Sequence, residues 1–411
     1  MKDLEGTKML TKGSLANIKV IDASRVLGGP YAGQVLADHG ADVIKVEPPA
    51  GDETRGWGPP FLDGTASYFL GLNRNKRGMA LDMSQPAGQE LLLALLETAD
   101  VFIENFKTGT LERWGLTREE LERRFPRLVH CRVSGFGADG PLGGLPGYDA
   151  AIQASTGIMS VNGELGGKPL RVGLPVVDMV TGLNAVIGIL MALNERSVSG
   201  KGQFVETTLY DCGVSLLHPH LPNYYLSGKV AGPSGNAHPN ICPYDTFETG
   251  TEPIFLAVGN NRQFQVLCKT IGRPDLPDDA RFATNGERNA NRDALKVELE
   301  KALAAFDCTS LADQLIKAGV PCGAVRNIDQ VIADPHTSHR EMVVDIGEYR
   351  GTGSPIKMSR TPASYRLAPP HFAEHTAEIL DENSLDSDRY KTVLPGFDDS
   401  ELTDAAASFR K

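Results

Sequence analysis

The sequence predicts an α/β protein, with a large unit built on a parallel sheet and a second, smaller α/β unit. Three observations predict it. Short Val- and Ile-rich segments alternate with helical segments from Ile18 to Leu209, the pattern of βαβ units. A stretch dense in Pro, Gly, His and Asn, from Pro219 to Pro243, breaks that alternation. Beyond it the alternation resumes over a shorter span. A chain of 411 residues suits two or three domains.

In chain order, Ile18 to Asp22 reads as a first buried strand and Ala41 to Glu47 as the next. Between them, Arg25-Val-Leu-Gly-Gly-Pro30 opens a helix running to about His39. Pro30 suits a helix start. This glycine turn is not Gly-x-Gly-x-x-Gly, so it is weak evidence for a nucleotide. Pro48 to Arg55 and Trp57 to Pro60 are loop. Asn73-Arg-Asn-Lys-Arg-Gly78 precedes a strand over Met79 to Asp82. Its three cations read either as solvated surface or as an anion-binding edge. A helix over Pro86 to Glu97 and strands over Val101 to Phe106 and Leu128 to Val133 continue the repeat. In doubly wound sheets the loops at the strands' carboxyl ends bind ligands.

Arg171 to Asp178 then leads into a long apolar helix ending near Glu195. Asp178 would stand at or beside the first helical position, where free N–H groups and the helix dipole favour a negative charge. It reads either as an N-cap or as a functional carboxylate, and the helix field would keep it ionised at neutral pH. Val176 to Leu193 is about long enough to approach a bilayer span. It carries Asp178, Thr181 and Asn184, so a buried core helix is the better reading. Gly202 to Leu209 is a further strand. The smaller unit takes strands at Ile254 to Gly259 and Cys322 to Ile328, with helices near 262–272, 292–306 and 310–318. Residues after about Pro395 are acidic and polar.

Composition narrows the function. Net charge is −11, which argues against nucleic acid or an anionic membrane as partner. Six scattered cysteines without a Cys-x-x-Cys pair suit a reducing cytosol, and Met1 to Gly6 lacks a signal peptide's apolar core. A cytoplasmic location is expected. Hydrolase elbow, Walker loop and His-Glu-x-x-His motifs are absent. His218 and His220 could be metal ligands, but a proline-bearing pair without nearby acids reads better as surface. His375 beside Glu374 reads as a fold or interface residue. His238 reads equally as a pocket residue or a loop histidine.

An ordered set of segments resembles the class III CoA-transferases, the family of formyl-CoA and carnitine CoA-transferases. They are Arg25-Val-Leu-Gly-Gly-Pro30, Asp42 to Asp52, Asn73 to Gly78, Glu104-Asn-Phe106, Ser134-Gly-Phe-Gly137, Asp178, Gly200-Lys-Gly-Gln203, Val258 to Phe264 and Glu374 to Leu380. The resemblance spans about Leu15 to Leu380. It implies an interlocked homodimer whose chains each form a Rossmann-like large domain and a smaller α/β domain. Mapped here, that plan gives a first large-domain part over 1–217, a linker over 218–243, a small domain over 244–342 and a returning segment over 343–411.

The resemblance also implies site residues. The family's nucleophilic aspartate falls on Asp178. CoA contacts fall on Val26, Leu27 and Gly28, on Pro48, on Asn73 and Lys76, and on Asn105, Phe106 and Arg113. Trp114 beside that arginine could stack on adenine. Where formyl-CoA transferases use glutamine, lysine and tyrosine, this chain has Leu27, Ser134 and Phe136, which argues against formate or oxalate. The implied substrates are an acyl-CoA, with succinyl-CoA a common donor, and a small carboxylic acid. No metal or cofactor beyond CoA is implied. Arg171 and His238 are the expected receptors for the acid. The related 2-methylacyl-CoA racemases place a histidine base where Tyr148 stands, which favours transfer over racemisation. A non-catalytic CoA-binding protein is disfavoured by the intact Asp178.

Overall fold

The computed structural model describes residues 13–397. The signal-peptide reading of Met1 to Gly6 and most of the acidic tail lie outside the described residues. Two compact units emerge. The first comprises the described parts of Met1–Gly157, Val172–His218 and Ser338–Lys411; the second comprises Ile158–Arg171 and Pro219–Thr337. Residues 158–171, expected in the large domain, group with the second unit. There Leu170 N–H donates to the Asn162 carbonyl and the Asn162 amide donates back to that of Leu170, closing a loop. The expected linker is not bare either, since it holds a helix, His220–Ser227, ended by left-handed Gly228. Pro222 reads as a breaker, but in a helix's first turn proline costs no hydrogen bond.

The first unit is organised on six parallel strands: β1 (Lys19–Asp22), β2 (Asp42–Glu47), β3 (Lys76–Ala80), β4 (Val101–Glu104), β5 (Val129–Ser134) and β6 (Phe204–Thr208). Their order is β3-β2-β1-β4-β5-β6. Val20 pairs with Val43 on one side and Val101 on the other. Central strands are buried on both faces, which explains why consecutive residues such as Val43 and Ile44, or Val101 to Ile103, are apolar instead of alternating with polar ones. One face is covered by the leucines of α2 (Pro86–Leu96), packed with Ile21, Ile44, Phe102 and the C-terminal Ile379 and Leu380.

Among the helices of this unit, α1 (Gly28–Asp38), α3 (Asp149–Ser155) and α4 (Val176–Ser199) build the site. The backbones of α1 and α4 approach closely at glycines. A Cβ on Gly182 would lie 2.6 Å from the Gly28 carbonyl oxygen. Helix α4 is long and apolar enough to cross a membrane. Only one side is buried, through Val177, Thr181, Ala185 and Ile189, while Leu183, Ile187, Leu190 and Met191 are exposed. Its apolar composition all round hides that two-sidedness from periodicity, so the helix expected to be buried in the core is half-buried.

The cationic stretch before β3 is neither solvated surface nor an anion-binding edge. The strand begins at Lys76, earlier than expected, and residues 73–78 are all buried. Arg74 forks onto Asp38, Arg77 onto Asp42, and the Lys76 ammonium reaches Asp22 at 2.9 Å. Each cation meets a carboxylate from α1 or another strand of the sheet, because an unpaired buried charge is far costlier than a paired one.

The second unit has an antiparallel sheet of β7 (Tyr244–Phe247), β8 (Ile254–Ala257) and β9 (Cys322–Ala324), with β8 central. Helices Asn261–Thr270, Arg292–Leu303 and Cys308–Lys317 cover it through Phe264, Leu267, Leu295, Leu299 and Leu311. The strand expected over Cys322 to Ile328 stops at Ala324, and Ile328 starts a short helix.

Candidate active site

The first unit carries a cavity of about 370 Å³ along the carboxyl edge of its sheet. Its walls are the turn after β1 (Arg25 to Gly28), the segment after β4 (Asn105 to Thr108) and the loop after β5. Strand order reverses between β1 and β4, so the cavity opens at the switch point, where diverging loops leave room for a ligand.

Asp178 lines this cavity as the third residue of α4 and is 9% exposed. It is not the helix cap. The residue before the helix is Pro175, which offers no side-chain bond, and the capping carboxylate comes from Asp149 at the head of α3. Oδ2 of Asp149 accepts from the N–H groups of Val177 at 2.8 Å and Asp178 at 3.1 Å. Its Oδ1 accepts from Gln153 at 2.6 Å. Among the described residues no cation pairs with the Asp178 carboxylate. Burial, and then the charge of Asp149, push its pKa up to about 7. The expected helix-field ionisation is therefore overruled: desolvation and a like charge both disfavour the anion.

Helix α1 points its start at the same place. It begins at Gly28 without a side-chain cap, and a Cβ there would stand 3.9 Å from Oδ1 of Asp178. The turn before it is held from both sides. Asn105 accepts from Arg25 N–H at 2.9 Å and donates to the Arg25 carbonyl at 2.8 Å. Asp52 accepts from Val26 N–H at 3.3 Å. Val26 has φ of 71°, a left-handed conformation that a β-branched residue adopts only when its surroundings impose it. Asp52 also meets the buried Lys45 ammonium at 2.8 Å. Burial opposes its ionisation, but Lys45 and the Thr54 donors outweigh it and hold the carboxyl at about 2.

An aromatic group completes the surroundings. Trp57 packs on Tyr68 at 5.2 Å and on the cavity residue Tyr148 at 6.5 Å. Burial, followed by the charges of Asp178 and Asp149, pushes the Tyr68 phenol up to about 12. Asp149, Tyr68 and Arg25 carried no site role in the sequence reading. The signal for Asp149 was its position at the start of a short helix after Gly147 and Tyr148.

Residues 15–376 match the family described as CoA-transferase family III. The chain belongs to CoA-transferase family III. It is 40% identical to a succinate–glutarate CoA-transferase of Agrobacterium fabrum, over 90% of this chain and 96% of that one. It is 38% identical to a succinyl-CoA:mesaconate CoA-transferase of Haloarcula hispanica, over the same shares. A crystal structure of a CaiB/BaiF family protein from Brucella suis superposes with a TM-score of 0.81 at 41% identity, covering 90% of this chain and all of that one.

Family III CoA-transferases act on CoA thioesters, and the expected CoA contacts of this one divide by position. Val26, Leu27, Gly28, Asn105, Phe106 and Ser134 line the cavity with Asp178. Asn73 and Lys76 are fully buried and engaged: the Lys76 ammonium donates to Asn73, Asp22 and the Pro30 carbonyl. They brace the sheet beneath α1 and present no free end to a phosphate. Pro48 is half-buried and outside the cavity wall. Arg113 is exposed and donates to Thr110, and Trp114 packs edge-on against Phe106 at 5.6 Å. Phe136 turns to Tyr210, and the aromatic side chain that lines the cavity with Phe106 is Tyr148. Arg171 and His238 lie in the second unit, Arg171 exposed and His238 holding Asn240 N–H on its Nδ1. Among the described residues no group of three or more His, Cys, Asp or Glu side chains is placed to hold a metal.

Proposed function

We propose that this family III CoA-transferase moves CoA from a short dicarboxylic acyl thioester of the succinyl-CoA kind to another short dicarboxylic acid, with Asp178 as nucleophile. The observation that carries the reading is an unpaired carboxylate in the cavity where the starts of α1 and α4 converge. The relatives that act on succinate, glutarate and mesaconate support the substrate class. A carboxylate oxygen of Asp178 attacks the thioester carbonyl and expels CoA thiolate, leaving a mixed anhydride. The thiolate attacks the aspartyl carbonyl, releases the donor acid and leaves an aspartyl-CoA thioester. The acceptor carboxylate repeats the two steps in reverse and regenerates Asp178. First-turn N–H groups of α1, uncapped by any side chain, suit the oxyanion formed at each carbonyl. Tyr148, where racemases place a histidine base, leaves α-proton transfer without its second group.

The test is exchange between succinyl-CoA and a panel of acids, with CoA esters followed by mass spectrometry. A CoA adduct should also appear on the peptide containing Asp178. No exchange with any dicarboxylic acid would sink the substrate class, and exchange without the adduct would sink the intermediate.

We also propose that the protein works as an interlocked homodimer in the cytoplasm, with a large Rossmann-like domain in each chain. Support comes from the family plan and from the apolar stripe of α4, which water would otherwise cover.

Asp178 must be ionised to attack, so kcat/KM for the donor should rise with pH through about 7. Asp149→Asn keeps one acceptor oxygen for the α4 N–H groups and removes the like charge. The rise should move to lower pH, by about one pH step at most. A pH–rate profile that stays in place would show that burial alone sets the Asp178 carboxyl.

A further inference from the structure

Resting on the dicarboxylate reading above, we propose that Arg25 receives the second carboxylate of the substrate and that Glu53 holds its place when the site is empty. A four- or five-carbon diacid brings a charge that takes no part in the exchange, and an unpaired charge in a cavity is costly. Two lining cations can meet it, Arg25 and the exposed Lys107. Arg25 is the better built. Its backbone is pinned through both N–H and carbonyl by Asn105, so the root of the side chain does not wander. Its guanidinium already holds a carboxylate: Nη1 meets Oε2 of Glu53 at 2.8 Å. A guanidinium fork selects planar carboxylates, where a lysine is a point charge.

That ion pair is an exchangeable one. The two side chains are 42% and 34% exposed, so little desolvation or Coulomb energy is lost when one carboxylate replaces another. Glu53 stands beside Asp52, whose carboxylate reaches Val26 N–H, so both partners belong to the same clamped turn. Reach also fits. Arg25 lies three residues before Gly28, at most about 10 Å of chain, and Gly28 adjoins Asp178. A diacid with one end at Asp178 can therefore extend its other end along this wall. Arg171 and His238, the receptors expected from sequence, lie in the other unit.

The experiment measures kcat/KM for succinyl-CoA and for butyryl-CoA, the same chain length without the second carboxylate, with one acceptor. Arg25→Met should lower the succinyl-over-butyryl preference about tenfold or more. Glu53→Gln removes the competing carboxylate and should raise that preference a few-fold. The inhibition constant for free CoA separates the sources of anion. A uniform loss with both thioesters and weaker CoA binding would overturn the proposal and assign Arg25 to CoA phosphates. An unchanged preference in folded Arg25→Met would overturn it outright. Should Arg25→Met fail to fold, the Glu53→Gln arm decides alone: a preference that does not rise refutes the exchange. Wild-type enzyme that ignores every dicarboxylic thioester would instead refute the substrate class on which the proposal rests.

Discussion

Asp178→Asn is expected to lose CoA transfer by about four orders of magnitude or more, and also to melt higher than wild type at pH 8. The first effect follows from removing a nucleophile, which disables every covalent step at once. The second follows from the environment that makes this carboxylate useful. Burial and the Asp149 charge carry its pKa from 3.8 to about 7. A raised pKa means that the folded state holds the proton more tightly than the unfolded state. The stability it contributes is fully present below 3.8 and is lost as pH rises through about 7. At about 1.4 kcal/mol per pH step, the loss at pH 8 is at most about 4 kcal/mol, and residual hydration of a 9% exposed group reduces it. Asparagine does not ionise and avoids the loss. Calorimetry should therefore show a Tm gap favouring the variant at pH 8 that closes toward pH 4. A gap independent of pH would mean that packing, not ionisation, separates the two proteins. A variant with near-normal transfer would remove Asp178 from the chemistry.

The parallel sheet was legible because its central strands are buried on both sides. Ile21 between Ile44 and Phe102 has no polar alternation to confuse the pattern. Asp178 was legible as a carboxylate opening an apolar helix, but its role as cap was misjudged. The true cap, Asp149, lies 29 residues earlier, and only the fold brings it to Val177 and Asp178. Residues 73–78 were misread for a related reason. A cation on a loop and a cation paired inside a sheet have the same local sequence. The difference is Asp22, Asp38 and Asp42, which arrive from other elements. The aromatic wall shows the limit of motif matching, since Phe136 sits in a familiar segment yet faces Tyr210, while Tyr148 at the far end of the same loop lines the cavity. Arg25 opens a recognisable motif, but its local sequence signals only the glycine turn that it begins.

Lys45 and Asp52 offer the second large effect, because stability and turnover should respond differently there. Both side chains are fully buried, and their ion pair measures 2.8 Å. Asp52→Leu leaves the ammonium without its carboxylate and should cost about 3–5 kcal/mol. Adding Lys45→Met removes the stranded charge, and the pair of substitutions should regain most of that stability as apolar packing. Acid unfolding gives a further check. The Asp52 carboxyl is held at about 2, so its contribution is present above 3.8 and fades as pH falls toward about 2; the double variant should lack that part of the acid transition. Turnover should not recover. Asp52 is also the acceptor for Val26 N–H, and its loss removes that restraint on the backbone at φ 71°. The turn can then relax, and with it the start of α1 at Gly28, which adjoins Asp178. A displacement on the order of 1 Å there should lower kcat about 10- to 100-fold. The expected signature is a double variant with near-wild-type Tm, slow transfer and little change in KM. Full recovery of both properties would show that the ion pair serves the fold alone. Recovery of neither would show that the cost of Asp52→Leu does not come from the stranded Lys45 charge.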